Sequence, residues 1–127
     1  MRTAVTALQM AIRLDAAILV ILGLLFWTGN AFNLIPIHML LGLLLVLMLW
    51  ALAAIGATQG VPIGMIVAAG IWGLVVVWLG LNQDNLLPGD LHWIIRVLHL
   101  LVGVAAVGLA ESIGARSRHA PVPATSG

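Results

Sequence analysis

Three histidines and one arginine lie in otherwise apolar stretches of this chain, and their side chains have the chemistry to bind a ligand. The run LHWIIRVLHLLVG, residues 91–103, contains His92, Arg96 and His99, and a second run, HMLLG, begins at His38. Neutral imidazole is the commonest metal ligand among side chains. Ionisable groups inside apolar membrane segments mark functional sites by default. These residues therefore predict a buried site built from imidazoles.

Helical spacing places the candidate residues on common faces. His92, Arg96, His99 and Gly103 follow one another at intervals of four, three and four positions, which form a single stripe on a helix. His38 and His99 are each followed by glycine at the fourth position, in HMLLG and HLLVG. With a rise of about 1.5 Å per residue, all three histidines are expected in the same half of a helical bundle.

Two imidazoles that face each other across a bundle are the protein ligands of a six-coordinate haem iron, whose properties depend on those ligands and on burial. A glycine one turn from such a ligand leaves room for the flat macrocycle. The guanidinium of Arg96 suits a haem propionate, and its long side chain equally suits extension towards the membrane surface. His92 is nearer the water than His99 and remains its rival as the partner of His38.

Two other kinds of site use the same residues. In the first, His38, His92 and His99 hold Zn²⁺ or Cu²⁺ without a porphyrin, since three imidazoles are common in catalytic zinc sites. In the second, the histidines and Arg96 join the helices of a structural subunit by hydrogen bonds. The chain has no cysteine, which excludes disulfides and thiolate metal sites. No nucleophile with a neighbouring base and no phosphate-binding loop is recognisable, so catalysis of a chemical conversion is not predicted.

The composition indicates that these side chains lie on membrane-spanning helices. Of the 127 residues, 63% are hydrophobic and 7% charged, against about a quarter charged in soluble domains. Four continuous apolar runs approach the roughly 20 residues that cross a bilayer. They are residues 14–32, 36–57, 61–81 and 91–113. We therefore predict an all-α transmembrane four-helix bundle over residues 1–115 and a disordered polar tail over 116–127 that contains His119.

Charged residues suggest an orientation. Four arginines flank the side that bears both termini: Arg2, Arg13, Arg116 and Arg118. Short links favour an up-down-up-down bundle, and the positive-inside rule places both termini in the cytoplasm, most simply at a bacterial plasma membrane. Asp15 and Glu111 are expected near the inner ends of their helices, paired with Arg13 or Arg116. A net charge of +1 gives no reason to expect a nucleic-acid partner.

The elements HMLLG at 38–42 and HLLVG at 99–103 resemble those of small bis-histidine b-type membrane cytochromes. The arrangement is similar to one four-helix half of haem A synthase or to compact cytochrome b subunits. The resemblance implies that His38 and His99 are axial ligands of haem b and that Gly42 and Gly103 contact the macrocycle. Dihaem relatives use four ligand histidines, whereas three are available here, so we expect one haem per chain. One-electron transfer with a quinone or a membrane redox partner, in a lipid bilayer and in a homodimer, is the function expected.

Overall fold

A computed structural model describes residues 1–119 of the chain as four long helices. They are α1 (Arg2–Trp27), α2 (Ile35–Thr58), α3 (Ile63–Asn82) and α4 (His92–Arg118). Short 3₁₀ turns at Phe32–Leu34 and Gln83–Asn85 precede α2 and follow α3. Each of the four is long and apolar enough to cross a membrane. An all-helical integral membrane protein, as predicted, is the class that these helices indicate.

The first helix begins and ends earlier than predicted, and the last helix ends later. Helix α1 begins at Arg2 and ends at Trp27, whereas the apolar run predicted 14–32. Its first half contains Ala, Leu, Gln, Met and Arg, which favour helix, while Gln9 and Arg13 lower the local hydropathy. Helix α4 continues to Arg118, so residues 116–118 belong to it and not to the predicted tail. The rest of that tail, 120–127, lies outside the described residues.

Proline and glycine mark the links between the helices. Pro36 lies in the first turn of α2, where its missing N–H costs no intrahelical hydrogen bond. Gly29 follows α1 with φ +83° and Gly60 follows α2 with φ +79°. Both have the left-handed conformation that commonly ends a helix and that glycine adopts without strain.

Helices α2 and α4 form the centre of the bundle, because each packs against all three other helices. Near the start of these two helices, His38 lies beside His99. Near their ends, Ile113 lies 3.0 Å from the position that a Cβ would take at Gly56. The buried side chains between these levels include Leu45, Val46, Leu49, Leu52, Ala106 and Ala110. We call the first level the histidine end of the bundle and the opposite one, where α1 begins and α4 ends, the terminal end.

Two tryptophans fix α3 between the central helices. The indole N–H of Trp50 donates to the carbonyl oxygen of Ala69 at 3.2 Å, and that of Trp72 donates to the carbonyl oxygen of Val102 at 3.0 Å. Gly73 provides the space for the ring of Trp50. A buried indole needs an acceptor for its N–H, so these two bonds set the axial position of α3 against α2 and α4.

Candidate functional site

His38 of α2 and His99 of α4 lie side by side at the histidine end. Their ring centroids are 6.2 Å apart, and the ring planes are inclined by 49°. Both side chains are half-buried. The Nδ1 atom of each ring is shielded from solvent and has no hydrogen-bond partner within residues 1–119. Buried polar atoms are normally satisfied, and here two imidazole nitrogens without a partner lie at one place.

Each imidazole packs against a glycine of the helix that precedes its own. The Cε1 atom of His38 lies 3.8 Å from the position that a Cβ would take at Gly23 of α1. The Cε1 atom of His99 lies 3.7 Å from the corresponding position at Gly80 of α3. A side chain larger than alanine at either glycine would meet the ring. Helical spacing linked neither glycine to a histidine, although both stand in the tripeptide Leu-Gly-Leu, which occurs at 22–24, 41–43 and 79–81.

The glycines that follow the histidines by one turn border open space. No heavy atom from elsewhere in the described structure lies within 4 Å of a Cβ built at Gly42 or at Gly103. Both residues are half-buried. A Cβ at either position would meet no neighbouring side chain, so there is space beside both glycines.

Phe26, near the end of α1, is a further residue of the site that helical spacing did not reveal. Its ring centroid is 5.4 Å from that of His38, and the two planes meet edge-on at 73°. Phe32 stacks on Phe26 with centroids 6.5 Å apart. The ring of Phe26 covers one side of His38 and restricts the orientations of its imidazole.

His92 is not part of this group. Its Nδ1 lies 3.1 Å from the carbonyl oxygen of Leu86, in the link before α4. Within residues 1–119, no three side chains of His, Cys, Asp or Glu come close enough to hold a metal ion. The described structure therefore does not bring together the three imidazoles of the predicted zinc or copper site. The physical reason is that His92 precedes His99 by seven residues, about 10 Å of helix rise.

Arg96 extends over the end of α1. Its guanidinium carbon lies 5.9 Å from the centroid of the Trp27 ring, at a distance where a cation–π attraction contributes. The side chain is exposed, which agrees with the extension considered from the sequence. Arg96 thus ties α4 to α1 at the histidine end. The expected joining of helices through hydrogen bonds from the histidines does not occur at Nδ1 of His38 or of His99.

A second polar cluster lies towards the terminal end. Arg13 Nε donates to Glu111 Oε1 at 2.7 Å, and Gln9 Nε2 donates to Glu111 Oε2 at 2.9 Å. The pairing predicted for Glu111 is thereby confirmed. The pairing predicted for Asp15 is wrong, because both of its carboxylate oxygens are buried without a partner in the described part of the chain.

Comparison with protein-family models, with curated proteins and with solved structures finds no match. The function is therefore inferred from the geometry of the site.

Proposed function

We propose that this protein binds one haem b between His38 and His99 and transfers single electrons within the membrane. The observation that carries the proposal is the pair of adjacent imidazoles, each with a buried Nδ1 that has no partner in the described residues. When two imidazoles bind one metal ion from opposite sides, the distance between their ring centroids has two contributions. Two metal–nitrogen bonds of about 2 Å each and the distance from each nitrogen to its ring centroid add up to roughly 6 Å. The 6.2 Å between the two ring centroids is close to that sum.

The number of ligands favours haem over a bare metal ion. A zinc ion bound by protein has four ligands, of which at least three are side chains, and the described residues offer no group of three. A haem iron takes four nitrogens from the porphyrin and needs only one axial ligand on each side. The open space beside Gly42 and Gly103 supports the same choice, since a macrocycle on two imidazoles lies along the backbone one turn away.

Each residue of this site has a separate proposed role. His38 and His99 supply one imidazole from each of the two central helices. Gly23 and Gly80 let those rings approach the neighbouring helices, and Phe26 excludes water from one side of His38. Haem supplies a one-electron couple whose potential depends on its axial ligands and burial. With both His38 and His99 bound to the iron, no position on it would remain for a substrate, so electron transfer and not chemical conversion is the activity proposed.

The membrane topology is part of the proposal. Arg13 contacts Glu111 at the terminal end and Arg96 contacts Trp27 at the histidine end, as in an up-down-up-down bundle. The arginines near both termini favour a cytoplasmic terminal end, in a bacterial plasma membrane. The haem then lies towards the outer face, where a quinone or a membrane redox protein is the proposed partner. A homodimer is the proposed assembly.

Optical absorption of the purified protein tests the haem proposal. The wild-type protein, produced in cells supplied with haem precursor, is expected to be red and to show sharp bands on reduction. His38→Ala and His99→Ala should each lose the haem, whereas the matched control His92→Ala should retain it. If His92→Ala loses the haem and His99→Ala retains it, the ligand on α4 is His92 and not His99. A colourless wild-type protein that folds normally would refute the haem proposal and favour the alternative of a structural subunit.

A further inference from the structure

Asp15 is a buried acid in the middle of a membrane-spanning helix. It is the fourteenth of the 26 residues of α1, and its side chain is only 5% exposed. Neither Oδ1 nor Oδ2 has a hydrogen-bond partner within residues 1–119, and both atoms are shielded from solvent. An ionisable side chain in this situation is expensive to keep and is a functional residue by default.

No charged group on the neighbouring helices faces Asp15. Helix α1 packs against α2 and α4. The titratable residue of α2, His38, lies at the level of Gly23, eight residues or about 12 Å of helix rise from Asp15. On α4, Glu111 is held by Arg13 and Gln9. The other charged or titratable residues of α4 are in its first eight residues, His92, Arg96 and His99, and in its last three, Arg116 and Arg118.

The charge of Asp15 must nevertheless be neutralised, because an unpaired carboxylate in an apolar interior carries a large desolvation cost. A metal cation would need several oxygen ligands around it. The other orphaned acceptor on α1 is Oε1 of Gln9, six residues away, or about 9 Å of helix rise. No group of three acidic or imidazole side chains occurs in the described structure. A proton needs a single oxygen and no further ligand.

We propose that Asp15 is a proton-binding site in the interior of the bundle, with the proton itself as its ligand. The bound proton turns the carboxylate into a neutral acid that the apolar surroundings tolerate. Its neighbour Arg13 does not compete for the same oxygens, because the Arg13 side chain is 58% exposed and its guanidinium is bonded to Glu111. The inference is independent of the haem proposal, since it uses neither His38 nor His99.

Carbodiimide labelling of the full-length protein in phosphatidylcholine vesicles tests this site. Dicyclohexylcarbodiimide enters bilayers and adds to protonated carboxyl groups. We expect Asp15 of the wild-type protein to be modified at neutral pH, as read by mass spectrometry of its peptides. Asp15→Asn should lose the label completely, and the control Glu111→Gln should keep it. A label on Glu111 with none on Asp15 would overturn the assignment.

Two further measurements distinguish a protonated Asp15 from an ionised one and from one that holds a sodium ion. The infrared C=O stretching band of a protonated carboxyl should be present at neutral pH in the wild-type protein and in Glu111→Gln, and absent from Asp15→Asn. Absence of that band from the wild-type protein would overturn the proposal, even if the carbodiimide cannot reach Asp15. If sodium chloride protects Asp15 from labelling and choline chloride at the same pH does not, the carboxylate holds a sodium ion and the proton assignment is wrong.

Discussion

Gly80 of α3 is a position at which the surroundings of a proposed ligand can be changed without changing the ligand. A Cβ at Gly80 would lie 3.7 Å from Cε1 of His99, an ordinary van der Waals separation for carbon. Gly80→Ala is therefore tolerated and gains up to about 1 kcal/mol in helix propensity. Gly80→Val adds two γ carbons, each about 1.5 Å beyond the Cβ, and its side chain has one strongly preferred rotamer in a helix.

The extra carbons of valine leave the His99 ring too little room. If a γ carbon points at Cε1, the ring must move by on the order of 1 Å to restore contact at 3.5–4.0 Å. Metal–ligand distances tolerate only about 0.2 Å. We therefore expect Gly80→Val to lose most of its haem while Gly80→Ala retains it. Gly23→Val should affect His38 in the same way, because the separation there is 3.8 Å.

Haem-to-protein ratio, measured by absorbance after purification in a mild detergent, is the assay for this series. Gly108→Val is the matched control, because Gly108 is an exposed position of α4 with no heavy atom within 4 Å of a built Cβ. Its haem content should equal that of the wild-type protein. Equal haem content in Gly80→Val and Gly108→Val, with both proteins folded by circular dichroism, would refute the role assigned to Gly80.

Two predictions concern the stability of the bundle, measured by unfolding in mixed detergent micelles. Gly73→Ala should lower the free energy of unfolding by about 1–2 kcal/mol, because its Cβ would overlap the ring of Trp50. Gly70→Ala, at an open position of the same helix, should be neutral or stabilising, and equal effects would contradict the packing argument. Trp72→Phe removes the N–H that donates to Val102 and should cost about 1 kcal/mol. An unchanged midpoint for this variant would show that the bond does not hold α3 in place.

The sequence predicted the four membrane helices and the proximity of His38 to His99, and it failed where polar residues continue a helix. The helices follow from long apolar runs, and the histidines meet because α2 and α4 start at the same end of the bundle. Gln9 and Arg13 lower the hydropathy at the start of α1 without interrupting the helix. The predicted start was therefore too late, and Asp15 was placed near an end and given a partner that it does not have.

The contacts of the two histidines also depend on tertiary structure that periodicity does not contain. A stripe on one helix defines a direction but not the residue that it meets, so Gly23, Gly80 and Phe26 were missed as neighbours of the imidazoles. The tripeptide Leu-Gly-Leu occurs three times, at 22–24, 41–43 and 79–81. Only its first and third glycines lie against a histidine ring, so the tripeptide alone could not identify these contacts.

The two halves of the chain build the same glycine–histidine contact with different spacings, and the difference identifies which histidine of α4 corresponds to His38. Fifteen residues separate Gly23 from His38, and nineteen separate Gly80 from His99. His38 is the fourth residue of α2, and His99 is the eighth residue of α4. Helix α4 therefore has four more residues before His99 than α2 has before His38, which is about one helical turn. His92 begins that additional turn, so it has no counterpart in α2. Because each ring lies at the level set by its glycine, an imidazole two turns nearer the helix start cannot take the place of His99 unless α4 slides by about 10 Å.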